Sequence, residues 1–145
     1  MFEVAAIDHI VLRTRSPELM VAFYCNVLGC SLERETSAGL VQLRAGTSLI
    51  DIVDVDSKLG SIGGGPPTDS GRNLDHFCLQ LKPASEEEIL RHLQTRGVQT
   101  GDFEERYGAE GFGRSLYIND PDGNIVELRP QLPVERIDAT TALNR

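Results

Sequence analysis

The sequence predicts an α+β protein built from two βαβββ modules in one chain. Two observations predict it. The segment "IDHIVLRT" (residues 7–14) returns as "LDHFCLQL" (residues 74–81), matching as aliphatic, Asp, His, apolar, any, Leu. Each copy is then followed by one helix-like stretch and three strand-like runs in the same order. A chain of 145 residues has about the commonest size of one compact domain. Two units this short would bury little surface apart, so they are expected to share a core. The expected organisation is a single domain over residues 1–130, with modules at about 5–56 and 73–130 and a Gly/Pro-rich linker at 57–72. Residues 131–145 are a C-terminal tail.

Each element follows from local chemistry. After the first strand, "SPELMVAFYCNVLG" offers Ser16 as N-cap, Pro17 at the first helical position and Gly29 as the stop. Leu19, Phe23 and Val27 fall at steps of four and suggest its apolar face. The runs "CSLERET", "GLVQLRA" and "SLIDIVDV" complete the first module. In the second, "SEEEILRHLQTRG" pairs Ser85 with Glu88 as a capping box, puts Ile89 and Leu93 on one stripe and stops at Gly97. His92 lies on this charged helix and is expected to be exposed. The runs "VQTGDFEE", "RSLYIND" and "NIVELRP" follow, the last two joined by the turn "DPDG". The stretch "RYGAEGFG" lengthens the second module; its glycines suit either a substrate lid or a plain hairpin loop.

Composition narrows the function classes. Apolar residues make up 40%, enough for a core, and Trp is absent. A net charge of −8 opposes nucleic acid and anionic membranes, both polyanions. Cys25, Cys30 and Cys78 lack metal-site spacing and read as reduced thiols of a cytoplasmic protein. No segment approaches the roughly 18 consecutive apolar residues of a membrane span, and "MFEVAAIDHI" lacks the basic and apolar regions of a signal peptide.

The repeat also points to chemistry. A lone strand histidine is usually a satisfied core residue, but His9 and His76 occupy the same place in the two modules. The last strand of each module carries an acid inside an apolar run, Asp51 in "LIDIV" and Glu127 in "IVELR". Strand alternation separates both acids from their apolar neighbours, so helices can cover the apolar faces while His and acid line the open side. Two neutral imidazoles and two carboxylates make a mixed N/O set that balances a divalent charge. It suits Zn, Ni, Mn, Co or Fe rather than Ca. Glu110, Glu33 and Glu35 are candidate bases only by their place in the expected topology.

These residues resemble the vicinal oxygen chelate superfamily, which includes glyoxalase I, bleomycin- and fosfomycin-resistance proteins, methylmalonyl-CoA epimerase and extradiol dioxygenases. "DHIVL", "AFYCNVLGC", "LDHFCLQL" and "SLYINDPDGNIVEL" carry the likeness over about residues 5–130. The resemblance implies a glyoxalase-like fold, with sheets curled around a metal cup, and a homodimer. It places the metal ligands at His9, Asp51, His76 and Glu127. Asp51 is one methylene shorter than the Glu or Gln of glyoxalase I, which puts its direct coordination in doubt. The implied reaction is a lyase or isomerase step on a small-molecule substrate that chelates the metal through vicinal oxygens, with Asp51 or Glu127 moving the proton. The fosfomycin-resistance pattern offers an alternative thiol transferase or epoxide hydrolase. It assigns Ser115, Tyr117 and Arg136 to substrate binding, suiting an oxyanion, but Val11 replaces the Thr expected near an epoxide. A metal-free, bleomycin-type binding protein is the other alternative. Extradiol dioxygenases tend to be longer, with the three metal ligands within one module.

Overall fold

The computed structural model describes residues 1–133. The elements are β1 (His9–Thr14), α1 (Pro17–Asn26), β2 (Ser31–Thr36), β3 (Leu40–Ala45) and β4 (Ser48–Asp54), then β5 (His76–Leu81), α2 (Glu86–Thr95), β6 (Glu104–Gly108), β7 (Gly111–Asn119) and β8 (Ile125–Pro130). This is the βαβββ order, twice. The strands form two four-stranded sheets, ordered β1-β4-β3-β2 and β5-β8-β7-β6. The first and last strands of each module run parallel, while the remaining pairs are antiparallel. The parallel pairing needs a long crossover, which the helix and the intervening hairpin supply.

Alternation sorts each sheet into two faces. Leu12, Leu43, Ile50 and Ile52 from the first sheet join Leu116, Ile118, Val126 and Leu128 from the second in one buried cluster with Met20, Tyr24, Ile89 and Leu93 from the helices. The modules therefore share a core. The opposite faces carry His9 and Asp51 in the first sheet, and His76 and Glu127 in the second.

The helices show which local signals decide. Ser85 and Glu88 form the expected capping box, with Glu88 N donating to Ser85 Oγ at 3.1 Å and Ser85 N donating to Glu88 Oε2 at 2.8 Å. Ser16 stands at the N-cap of α1 but makes no side-chain cap bond; its own N–H donates to Thr14 Oγ1 at 2.9 Å. The buried side of α1 is Met20 and Tyr24 rather than the stripe begun by Leu19, which is exposed. Tyr24 fixes that choice: its hydroxyl donates to Asp120 Oδ2 of the second module at 2.8 Å, and its ring stacks on Phe77. His92 is exposed yet engaged, since its Nε2 lies 2.7 Å from the Val27 carbonyl and ties α2 to the end of α1.

Further hydrogen bonds support the junction between the modules, within the second module, across to the first and through the linker. Asp120 anchors the turn before β8, accepting from the backbone N–H of Asp122 and Asn124 and from the Asn124 side chain. Asn73 accepts from Arg13 N at 2.9 Å and donates to Arg13 O and to Asn124 Oδ1. The linker is not merely a spacer, because the Arg13 guanidinium donates to the carbonyls of Gly60, Gly64 and Gly65.

The stretch "RYGAEGFG" resolves in favour of a hairpin. It extends β6 and β7 to a tip at Ala109 and Glu110, with Tyr107 opposite Phe112 and Gly108 opposite Gly111. The expected strand "VQTGDFEE" accordingly shifts toward its C-terminal end. Of residues 98–103, Gly101 N donates to Tyr117 O at 2.9 Å.

Candidate functional site

The four expected metal ligands lie on the open faces, in two pairs. In the first module, β1 and β4 run parallel with Val11 beside Asp51 and His9 beside Leu49. In the second, Cys78 is beside Glu127 and His76 beside Ile125. The two registers are the same, so each histidine stands opposite the residue two positions before the acid on the neighbouring strand. His76 Nε2 lies 3.5 Å from Glu127 Oε2. The hydrogen bond that His9 donates to Asp8, together with the Asp51 charge, holds the His9 imidazole above its ordinary pKa. The Asp8 bond is the larger cause, and partial burial opposes both. The two histidines border one cleft of about 810 Å³ between the modules. Among the described residues, no three His, Cys, Asp or Glu side chains converge closely enough to share an ion.

Each potential ligand is braced on one atom and free on another. His9 Nδ1 is 2.7 Å from Asp8 Oδ2, and His76 Nδ1 is 2.6 Å from Asp75 Oδ2. Donation from Nδ1 to these carboxylates leaves each Nε2 with a lone pair, that of His76 facing Glu127 Oε2. The histidine side chains are 49% and 38% exposed, and the Asp8 and Asp75 carboxylates are more exposed still, at 90% and 93%. Asp51 is 3% exposed; Gln42 Nε2 donates to its Oδ2 at 3.1 Å, while Oδ1 is buried without a partner. Glu127 is 7% exposed; the Ser115 hydroxyl donates to its Oε1 at 2.5 Å, and its Oε2 faces His76.

An orphaned, buried carboxylate oxygen costs free energy unless something supplies a positive partner. The free donors are two imidazole nitrogens and two carboxylate oxygens, a set that fits Zn, Ni, Mn, Co or Fe. Asp51 is short, but Gln42 orients it, and its free oxygen is the one left uncompensated.

The substrate-side expectations divide. Tyr117 lies opposite Glu127 on β7, edge-on to the His76 ring at 5.5 Å between centroids. Ser115 is fully buried and its hydroxyl is committed to Glu127. Arg136 lies outside the described residues. The guanidinium that the structure does place against Tyr117 belongs to Arg106, 4.3 Å from the ring centroid. Its Nη1 donates to Ser115 O at 2.5 Å and to Ser115 Oγ at 3.2 Å, and its Nη2 pairs with Glu104 at 3.0 Å. Arg106 was hidden inside the glycine-rich stretch. The signal that marks it is alternation along β6, which puts Arg106 on the face of Ser115 and Tyr117 once the hairpin register is known. Glu33 pairs with Arg44, and Arg44 holds the Glu33 carboxyl below its usual range.

Comparison with known proteins agrees with this architecture. The model of the Glyoxalase/Bleomycin resistance protein/Dioxygenase superfamily matches residues 6–128. A catechol-2,3-dioxygenase of Bacillus subtilis is 28% identical over 128 residues, covering 88% of this chain; the chain spans 42% of that relative's length. Among solved structures, a virulence protein of Salmonella typhimurium superposes with a TM-score of 0.70 at 24% identity, covering 90% of this chain and 100% of the other. A lactoylglutathione lyase of Agrobacterium tumefaciens gives 0.65 at 22%, covering 88% and 94%. The family match spans both modules, each with the same strand register and the same braced histidine–carboxylate pair, and the chain belongs to the glyoxalase/bleomycin resistance protein/dioxygenase superfamily.

Proposed function

We propose that the protein is a divalent-metal-dependent enzyme of glyoxalase-like type, acting as a lyase or isomerase on a small molecule that chelates through vicinal oxygens. The observation that carries this reading is the repeated bracing, which leaves four ligand atoms free: Nε2 of His9 and His76, Oδ1 of Asp51 and Oε2 of Glu127. These residues would hold Zn, Ni, Mn, Co or Fe. Because the two pairs do not converge within one chain among the described residues, a homodimer would complete each site with His9 and Asp51 from one copy and His76 and Glu127 from the other.

The ion supplies Lewis-acid polarisation of the substrate oxygens when bound. The chain's own groups do the rest. Asp8 and Asp75 fix the imidazole tautomers, while Gln42 and Ser115 fix the carboxylates. A carboxylate that left the ion, Glu127 through Oε2 or Asp51 through Oδ1, would be the group to take a proton from the substrate. Tyr117 presents an aromatic wall and a hydroxyl donor beside them.

A second reading, a metal-free small-molecule binder, is favoured by the family's inclusion of bleomycin resistance proteins and by the separation of the two pairs. Metal analysis of protein purified without added metal distinguishes the readings, followed by assay on a hemithioacetal, an epoxide and a catechol. Stoichiometric metal that is lost in His9→Ala and in His76→Ala supports the enzyme. Wild-type occupancy in both variants, or none in the native protein, refutes it.

A further inference from the structure

We propose that residues 64–72 form a hinged flap against the open face of the first module, latched in its closed position by Arg13. The inference goes beyond the reading above. It concerns how the first module's half of the cup is walled, and it holds whether or not that cup runs a reaction.

Arg13 follows His9 and Val11 at steps of two on β1 and so shares their open face, beside Val53 on β4. Its Nη2 donates to Gly60 O at 2.9 Å and to Gly64 O, and its Nε donates to Gly65 O at 3.4 Å. A Cβ on Gly63 would stand 2.3 Å from Nη1. The backbone of Arg13 is held as well, by Asn73 at the other end of the linker. Residues 60–73 thus leave Arg13 and return to it, a closed loop in the size range of Ω-loops. Among the described residues no carboxylate pairs with Arg13, and residues 64–67 make no hydrogen bond except to it. One side chain therefore holds this stretch down. Its acceptors are neutral carbonyls at the surface, which water can satisfy once they are released.

The glycines separate the fixed part from the moving part. Gly60 and Gly63 are required by packing, since a Cβ on Gly60 would stand 1.9 Å from Asp54 O and one on Gly63 would strike the Arg13 guanidinium. In the second module's hairpin, Gly108 and Gly113 likewise leave room for the buried Arg129 guanidinium. Gly64 and Gly65 have no such reason. A Cβ on either would meet nothing within 4 Å, and neither has a positive φ. What glycine contributes at such positions is backbone freedom alone, at an entropic cost to the folded state. Stiffer chain follows. Pro66 and Pro67 fix their own φ, and Thr68 and Gly71 close a tight turn through two backbone bonds of 2.9 and 3.2 Å. A stiff tip on a free pair of residues, pinned by one guanidinium, has the construction of a lid with a latch. The repeat gives the second module no such latch, since Gln80 takes the place of Arg13 on β5.

The test follows the amides of the chelator-stripped full chain by NMR relaxation, comparing residues 64–72 with β1 and β4. In the wild type, residues 64–72 are expected to be ordered, with exchange on the microsecond-to-millisecond scale from rare opening. Arg13→Gln should raise the open population about tenfold or more, seen as a loss of order confined to residues 64–72. Arg13→Lys, with a point charge in place of the fork, should restore part of that order. Gly63→Ala reaches the latch from the other side. It lies on an exposed stretch, its Cβ displaces the Arg13 guanidinium, and it should loosen the same residues even where Arg13→Gln disturbs the fold. Replacing Gly64 and Gly65 together by Ala should keep the latch and suppress the exchange. Unchanged order at residues 64–72 in Arg13→Gln and Gly63→Ala, or a wild type already as disordered there as those variants, overturns the proposal. Exchange that persists undiminished in the double Ala variant overturns the hinge. Metal titration of the same stripped protein reports separately on the enzyme reading.

Discussion

Ser115→Ala separates two roles for one hydroxyl. The likeness to fosfomycin-resistance proteins puts Ser115 on the substrate, whereas the structure puts its hydroxyl 2.5 Å from Glu127 Oε1 in a fully buried position. The same oxygen receives Arg106 Nη1 at 3.2 Å, so the serine relays a charged donor to a carboxylate. A hydrogen bond to a charged group contributes about 1.5–3 kcal/mol. If the bond fixes Glu127 for metal, its loss should raise the metal dissociation constant about 10- to 100-fold, the range typical of bracing partners. The substitution is clean because Arg106 keeps its 2.5 Å bond to the Ser115 carbonyl. A competing chelator, titrated against metal-loaded wild type and Ser115→Ala, gives the ratio directly. An affinity within twofold of wild type would refute the bracing role and return Ser115 to the substrate side.

Other outcomes follow from the same geometry. Asp51→Asn should weaken metal binding less than Glu127→Gln, because the shorter arm reaches less well; equal losses in the chelator assay would make Asp51 a full ligand. Mixing His9→Ala with His76→Ala under subunit exchange should restore one metal per heterodimer, since one of its two sites is then intact; continued absence of metal would place each site within one chain. The raised pKa of His9 means that protons begin to displace metal above the ordinary imidazole value of 6.5, so affinity should already be falling as pH drops toward that value, and a fall confined to pH well below it would contradict the Asp8 and Asp51 contacts. Tyr24→Phe leaves buried Asp120 one donor short and should cost about 1–3 kcal/mol in urea unfolding, whereas an unchanged midpoint would show that the inter-module bond contributes nothing.

The parts of this molecule legible in sequence are those encoded over short spans and written twice. The capping box of Ser85 and Glu88, the DPDG turn and the His–acid pairs each need only a few neighbouring residues, and the repeat shows which matches matter. What escaped was set by contacts between distant segments. The α1 stripe from Leu19 is regular, but Tyr24 needs a hydrogen-bond partner, and Asp120, 96 residues later, supplies it. His92 is exposed as expected, but its contact was out of the sequence's reach because the carbonyl it meets belongs to Val27. Arg106 and Arg129 were illegible for a related reason: which face they share depends on where the hairpin closes, and the glycines around its tip gave no register.

Those glycines close the physical argument. Gly108 and Gly113 read as flexibility when seen alone, and their composition favours a mobile loop as much as a fixed turn. Seen against Arg129 they mean the reverse, since side chains are absent where a guanidinium lies. A mobile lid would not hold a buried cation across two strands, because each opening would expose the charge and break its bonds to Arg106 O and Gly111 O. The hairpin is thus a rigid wall of the second module's cup.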